Sequence, residues 1–183
     1  VDLGFKLTTK YLEKEVKKYS AEYSAHNSYL QAADGNIPVV IFSRGLTMKD
    51  KKEVPDAIKL KLTPVELNEL GGVFYYYVSK FDLSLSSAKT CSKSPSLDYA
   101  IELKIDYSLK GEKKTIDFKP IVISSAAYGP ISTPESKYRT DLVSLPKEGI
   151  IIGASIKIVE TNPGKVRAEK ILSIWSDNKD DVK

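Results

Sequence analysis

The sequence predicts a mainly β protein whose fold is an antiparallel two-layer β-sandwich with an N-terminal helix. Apolar and polar residues alternate over most of the chain, which is the pattern of half-buried strands, and about eight segments show it. The connections between these segments contain most of the 9 prolines and several of the 10 glycines. A β-rich α+β arrangement stays open, whereas an α/β sheet would need helical segments between its strands.

Length and composition predict one domain over residues 1–183. With 42% hydrophobic and 28% charged residues, the chain can bury a core. The serine-rich stretch 84–96 is the candidate linker, but strand-like alternation continues on both sides of it. Because each half alone would have a marginal core, we expect a loop at 84–96 within a single domain.

The one helical pattern lies in residues 8–25. Thr8 and Thr9 are suitable N-caps, and apolar residues follow at the three-to-four spacing of a single helix face. These residues are Leu12, Val16, Tyr19 and Tyr23. From Tyr19 onward the side chains also alternate as in a strand, so the pattern predicts a helix over 8–25 and leaves an extended second part open.

Two strands are predicted next along the chain. Residues 37–42 form a short β-branched apolar run, which we expect to end at residues 43–45. The second strand is indicated by Ile58, Leu60 and Leu62, which alternate with lysines. Its apolar face belongs to the core and its lysine face to water.

A central strand is predicted at residues 73–78, because this run is apolar on both faces. The predicted N-terminal helix is an alternative cover for its second face. Just before it, residues 64–70 predict a single helical turn that is broken at Gly71 and Gly72.

The clearest strand pattern is residues 99–109, in which apolar residues occupy every second position. A turn at 110–112 then leads into a returning strand at 115–123. Pro120 shifts the alternation inside that strand, and such a proline belongs at an edge or a bulge.

Residues 124–139, which contain proline and glycine, predict a long loop. A strand at 150–160 is expected to pair with residues 165–175 through the turn sequence 161–164. The charged tail 177–183 is expected to be frayed.

Charge and hydropathy narrow the classes of partner. The 28 basic and 24 acidic residues leave a net charge of +4, which is too small to recruit nucleic acid by electrostatics alone. Arginine, the usual residue for bidentate phosphate contacts, occurs only as Arg44, Arg139 and Arg167. No apolar run approaches the roughly 20 residues that cross a bilayer. We expect neither nucleic-acid binding nor a membrane span in this chain.

The counts of cysteine and histidine exclude several kinds of site. Cys91 is the only cysteine and His26 the only histidine, so no intrachain disulfide and none of the usual zinc ligand sets can form. Neither residue has a local catalytic signature, and His26 is expected on a helix surface or in a loop. Glycine-rich nucleotide-binding loops and calcium-loop spacing do not occur. We therefore predict no catalytic residue, no metal and no cofactor.

Carboxylates give a hydrolase alternative. Acidic residues share one face of strand 99–109 with Lys104, and this alternation of charge indicates a solvated surface. These residues are Asp98, Glu102 and Asp106. A hydrolase would instead use carboxylates on the loops, for which the candidates are Glu135, Asp141 and Glu148.

Tyrosine is the one over-used residue type, with 11 Tyr against 5 Phe and 1 Trp. Tyrosine offers a large contact area with a polar end, which suits interfaces. The candidate ligand or partner contacts are Tyr75, Tyr77, Tyr128 and Tyr138. The plainer interpretation is that Tyr75 and Tyr77 line the edge of the core.

Three functions from different classes fit these observations. The first is a non-catalytic β-sandwich module for interaction or structure, in a bacterial protein that is exported, periplasmic or on the cell surface, with a protein or cell-surface partner. The second is the carboxylate-dependent hydrolase, and the third is a phage or viral structural subunit. The chain begins at Val1 and its only methionine is Met48, so we expect signal-peptide removal, truncation or engineering. A lipid anchor in a lost leader would fit the first function, and the oligomeric state stays open.

We predict that Cys91 is an accessible, ordinary thiol, because serine, lysine and proline surround it in a loop-like stretch. A thiol reagent should modify the folded protein without changing its circular dichroism spectrum. Reaction in denaturant alone would contradict the loop assignment.

Overall fold

Ten strands make up most of the structure. The computed structural model describes residues 17–28, 37–47, 53–67, 72–88, 96–131 and 137–162. The strands are β1 (Ser20–Ser28), β2 (Val40–Thr47), β3 (Glu53–Leu67), β4 (Val73–Leu83), β5 (Leu97–Leu109), β6 (Glu112–Asp117), β7 (Ile121–Ala126), β8 (Gly129–Ile131), β9 (Val143–Ser144) and β10 (Ile150–Thr161). They form two antiparallel sheets, of which one is curled, so the prediction of a mainly β protein is confirmed.

Sheet I has the strand order β1-β10-β5-β6, and β7 also pairs with β5. β10 occupies one edge of β5 along nearly its whole length. For this reason β6 and β7 pair, one after the other, with the opposite edge of β5. The turn between β5 and β6 has positive φ at Lys110 and Gly111, as tight hairpins require. Residues 118–120 separate β6 from β7, as Pro120 predicts, because proline lacks the N–H that a continuous ladder needs.

Sheet II has the strand order β2-β3-β4-β8, and the short strand β9 also pairs with β4. β4 is therefore central, as its apolar character on both faces predicts. The register of β2 with β3 shifts between Arg44 and Leu46, which marks a bulge. β2 continues through this bulge to Thr47 instead of ending at residues 43–45.

Buried side chains of both sheets belong to one hydrophobic cluster. The ring of Phe81 on β4 lies 4.9 Å from that of Tyr99 on β5, and the ring of Phe74 on β4 lies 5.9 Å from that of Phe118 after β6. Both pairs have the edge-to-face geometry that aromatic rings prefer. The inner faces of the two sheets therefore pack against each other at these points.

The predicted strand faces are confirmed in both sheets. The apolar residues of the β3 pattern, Ile58, Leu60 and Leu62, are fully buried. On β5, the residues Ile101, Leu103 and Ile105 are buried, whereas Lys104 is exposed. Alternation between apolar and charged side chains thus sets which face of each strand meets the core.

The helix predicted over 8–25 is corrected in its second part, where residues 20–25 belong to strand β1. β1 pairs with β10 from Ser20 to Ser28, and this ladder satisfies its backbone while Tyr23 enters the core. Residues 8–16 lie outside the described residues, and the helix stays a prediction there.

The helical turn predicted at 64–70 is wrong over its described part, because β3 continues to Leu67. Pairing with β4 extends to Leu67 and Val73, whereas pairing with β2 ends at Leu62. At Pro64, β3 therefore has a described neighbour on one side only, where a strand tolerates proline.

The strand predicted at 150–160 is confirmed as β10, but its partners are β1 and β5. Residues 165–175, which were expected to pair with it, lie outside the described residues, as do 89–95 of the predicted loop and the tail 177–183. The long loop predicted at 124–139 is interrupted by the end of β7 and by β8. Within the described ranges, no helix is long and apolar enough to cross a membrane.

We predict that Leu103→Ala lowers the free energy of unfolding by about 2–5 kcal/mol, because it removes buried methyl groups and leaves a cavity. The matched control is Lys104→Ala, whose side chain faces solvent one position along β5. The control should stay close to the unchanged protein in urea unfolding. Equal losses at both positions would contradict the assigned faces of β5.

Candidate functional site

Three of the four candidate contact tyrosines lie near one another in sheet II. Tyr75 and Tyr77 are on β4, and the segment 137–140 runs beside them, since Arg139 pairs with Tyr77 and the Tyr138 carbonyl accepts the Val78 N–H at 2.9 Å. The Arg139 guanidinium lies 5.4 Å from the Tyr75 ring centre.

The fourth candidate, Tyr128, lies where the chain passes from sheet I to sheet II. It occupies the turn between β7 and β8, with 42% of its surface exposed. Tyr75 is buried, as the plainer interpretation of a core-edge position requires, while Tyr77 and Tyr138 are half-buried. The four tyrosines therefore do not form one contact platform.

The loop carboxylates proposed for a hydrolase have separate partners. Asp141 accepts the Lys119 backbone N–H at 2.9 Å, and Glu148 lies 3.8 Å from the Lys110 amino group. Glu135 is outside the described residues. No contact between described residues joins Asp141 to Glu148, so the geometry supplies no acid–base pair there.

Asp106 departs from its predicted place on a solvated charged face, since only 7% of its surface is exposed. One carboxylate oxygen lies 2.8 Å from the Lys113 amino group, and the other accepts the Thr115 hydroxyl at 2.7 Å. These hydrogen bonds hold the pKa of Asp106 below its usual value. Asp106 is covered because both partners project from the neighbouring strand β6.

Asp98 also has a specific partner, since its carboxylate accepts the Ser125 N–H at 2.8 Å. Ser125 has a positive φ of 56°, and this bond supports the backbone there. Asp98 is therefore structural, whereas Glu102 stays on the half-exposed outer face of β5 beside Lys104.

His26 was expected on a helix surface or in a loop, but it lies on strand β1. Its Nδ1 is 3.0 Å from the Ser155 hydroxyl on β10. The pair borders a depression of about 290 Å³ on the outer face of sheet I. β10 is paired on both edges at Ser155, so its ladder leaves no backbone N–H there to stabilise an oxyanion. Cys91 is outside the described residues.

Charges on this outer face of sheet I neutralise one another across the strands. Lys104 lies 2.7 Å from Asp117, and Lys157 lies 3.3 Å from Glu22. The Asp117 carboxylate raises the pKa of Lys104. A charged ligand would have to compete with these pairs.

The outer face of sheet II differs, because its central lysines are not neutralised in this way. Lys61 on β3 lies directly opposite Lys80 on β4. Neither forms an ion pair with any residue in the described ranges. Like charges in directly opposite positions destabilise a sheet. The nearby Asp56 is already bonded to the Ser43 hydroxyl and to Lys59, which hold its pKa below the usual value, and the charge of Lys80 lowers it slightly further.

Ile41 completes this row, which we call the Ile41–Lys61–Lys80 row. It lies on β2 directly opposite Lys61, and 64% of its surface is exposed. Sequence analysis missed it because the run 37–42 is apolar on both faces, so alternation could not tell which side chains point outward. The row joins an exposed apolar side chain to two lysines that form no ion pair with a described residue.

A second cluster that the sequence analysis missed surrounds Glu160, whose side chain is completely buried. Its carboxylate accepts three hydroxyls, from Tyr23 at 2.8 Å, Ser86 at 2.8 Å and Tyr99 at 2.9 Å. Three donors satisfy most of the acceptor capacity of a carboxylate. The sequence contained an indication of this burial. Glu160 follows the core residues Ile156 and Ile158 at every second position and therefore lies on the same face of β10.

The tyrosines of this cluster stay protonated far into the alkaline range. Burial and the Glu160 charge raise the pKa of Tyr23 to about 12, although a hydrogen bond from Ser87 opposes the rise. Burial and the same carboxylate raise the pKa of Tyr99 above its usual value. The cluster is thus a structural polar centre.

Among the described residues, no three or more His, Cys, Asp or Glu side chains are placed to hold a metal ion. No protein-family model, curated protein or solved structure matches the chain. The assignment of function therefore depends on the geometry of the surfaces.

We predict that Tyr23→Phe destabilises the protein at neutral pH by about 1.5–3 kcal/mol, the usual loss for a hydrogen bond to a charged group. The loss should shrink as pH rises from about 10 to about 12. In that interval Tyr23 ionises in the unfolded chain but not in the folded one, so the unchanged protein loses its advantage. Urea unfolding at stepped pH measures this, with Tyr77→Phe as the control. A loss that is independent of pH would contradict the role given to the Tyr23 hydroxyl.

Proposed function

We propose that this chain is a non-catalytic interaction module, an antiparallel two-layer β-sandwich that binds a protein partner on the outer face of sheet II. The Ile41–Lys61–Lys80 row carries this proposal. A surface with an exposed apolar side chain beside unneutralised charge suits a partner that supplies both apolar contact and the opposite charge.

The opposed lysines support this proposal energetically. Lys61 and Lys80 face each other across β3 and β4, an arrangement that costs stability in the free protein. A carboxylate from a partner between them would remove this repulsion and form charge-assisted hydrogen bonds. The partner surface is therefore expected to be acidic.

The contrast between the two sheets supports the choice of surface. On the outer face of sheet I, Lys104 and Lys157 already have carboxylate partners within 3.3 Å. Binding an acidic partner there would first require these pairs to separate. At Lys61 and Lys80 on the outer face of sheet II, no ion pair between described residues would have to separate.

The cellular setting of the proposal is a bacterial exported or cell-envelope protein. Its support is a lysine-rich surface and loops carried on a strand scaffold. The hydrolase alternative gains no support from Asp141 and Glu148, which bind different elements. No specific contact favours a phage or viral subunit over an interaction module.

We expect a random peptide library displayed on phage to yield acidic peptides with an apolar residue when it is selected on this protein. Their dissociation constants, measured by fluorescence anisotropy, should rise at least about tenfold for the double variant Lys61→Glu, Lys80→Glu, because attraction becomes repulsion. Failure of the library to yield any specific peptide would overturn the proposal.

The matched control is Lys119→Glu, Lys147→Glu, which makes the same change in charge at two exposed lysines outside the strands. Peptide affinity of this control should stay within about twofold of the unchanged protein. Equal losses in the two double variants would show that net charge alone drives binding, and the assigned surface would be wrong. Circular dichroism establishes that each variant is folded.

A further inference from the structure

We propose that the partner is an extended acidic segment that adds a strand to the edge of β2 that no described strand covers. This inference rests on the proposed function and names the mode of binding and the chemistry of the partner.

β2 pairs with β3 alone among the described strands. From Val40 to Arg44 its register with β3 is continuous, before the shift at Leu46. A strand of about five residues has a row of backbone N–H and C=O groups on its second edge, and such a row is a template for an added strand. The bulge limits the template to this stretch.

β2 carries fewer of the charged side chains that protect an exposed edge than the edge strand β6 does. The edge strand β6 has Glu112, Lys113, Lys114 and Asp117 among its six residues, and charges of this kind discourage pairing. β2 carries a single charged residue, Arg44, whose guanidinium lies 5.3 Å from the Tyr23 ring centre in sheet I. Its outward side chains between Val40 and Arg44 are Ile41 and Ser43.

The Ile41–Lys61–Lys80 row then favours a negatively charged added strand. Neighbouring strands are about 4.8 Å apart, so an added strand would lie about 10 Å from β3. Glutamate and lysine side chains that extend toward each other over Ile41 can span this distance. Lys61 is directly opposite Ile41, and Lys80 follows on β4. An acidic side chain at the matching position would therefore reach Lys61, while Lys80, one strand further away, would attract it only through its longer-range field.

Charge also argues against a second copy of this chain as the occupant. The chain has a net charge of +4, and pairing two β2 strands would bring two rows of Lys61 and Lys80 to the same sheet face. Like charges on one face oppose association, whereas an acidic segment is attracted.

The test uses a seven-residue peptide of alternating glutamate and valine with blocked ends, and the same peptide with lysine in place of glutamate. We expect the glutamate peptide to bind the full chain at least about tenfold more tightly, and the variant Lys61→Glu, Lys80→Glu to remove this preference. A second series methylates one backbone nitrogen of the glutamate peptide at a time. In strand addition only alternate N–H groups face β2, so affinity should fall at every second position and stay nearly unchanged between them.

The outcomes separate this inference from the proposed function. Binding without the period of two overturns strand addition, as does failure of the glutamate peptide to bind. If the phage-selected peptides still depend on Lys61 and Lys80, the proposed function stands in both cases. A dimer through β2 in sedimentation experiments without peptide also overturns the inference, because the occupant is then a second copy.

Discussion

The buried carboxylate of Glu160 joins parts of sheet I that lie far apart in the chain. It accepts hydroxyls from Tyr23 on β1 and Tyr99 on β5, while Ser86 brings the segment after β4 to the same point. A charge without partners in a protein interior is strongly unfavourable, so burial of Glu160 requires all these donors to be in place. The cluster thus favours one arrangement of these elements over other ways of packing the same apolar surfaces.

The two outer faces show two different uses of lysine. On sheet I, lysines and carboxylates alternate across neighbouring strands and form pairs such as Lys104 with Asp117. Exposed pairs of this kind contribute little to stability, but they leave a surface with little residual field. On sheet II, Lys61 and Lys80 are opposed, and the field of both charges extends into the solvent.

Much of the fold can be predicted from the sequence because alternation has a direct physical cause. At Leu60 and Leu103 one face of the strand meets the core, and the pattern locates that face. The same pattern could not distinguish helix from strand around Tyr23, because its spacing from Tyr19 fits both periods. Pairing with the distant strand β10 decides the conformation there.

The candidate surface was less predictable, since it depends on which residues meet across strands. The tyrosines of β4 were identified, but the register that places Lys80 opposite Lys61 includes an irregularity that alternation does not reveal. Ile41 was hidden in a continuous apolar run. Glu160 could have been recognised, since it interrupts the apolar parity of β10 at a core position.

The pairing of β1 with β10 imposes an order on how the chain can acquire its structure during synthesis. The β5–β6 hairpin closes through a turn of two residues, so it can form as soon as its own residues are free. β1 is the first of the described strands to be synthesised, yet its partner β10 begins only at Ile150. Until then the side chain of Tyr23 has no carboxylate to contact, because Glu160 does not yet exist in the growing chain. The first of the described strands to be synthesised is therefore among the last to be paired, and in an incomplete chain the side chain of Tyr23 stays uncovered.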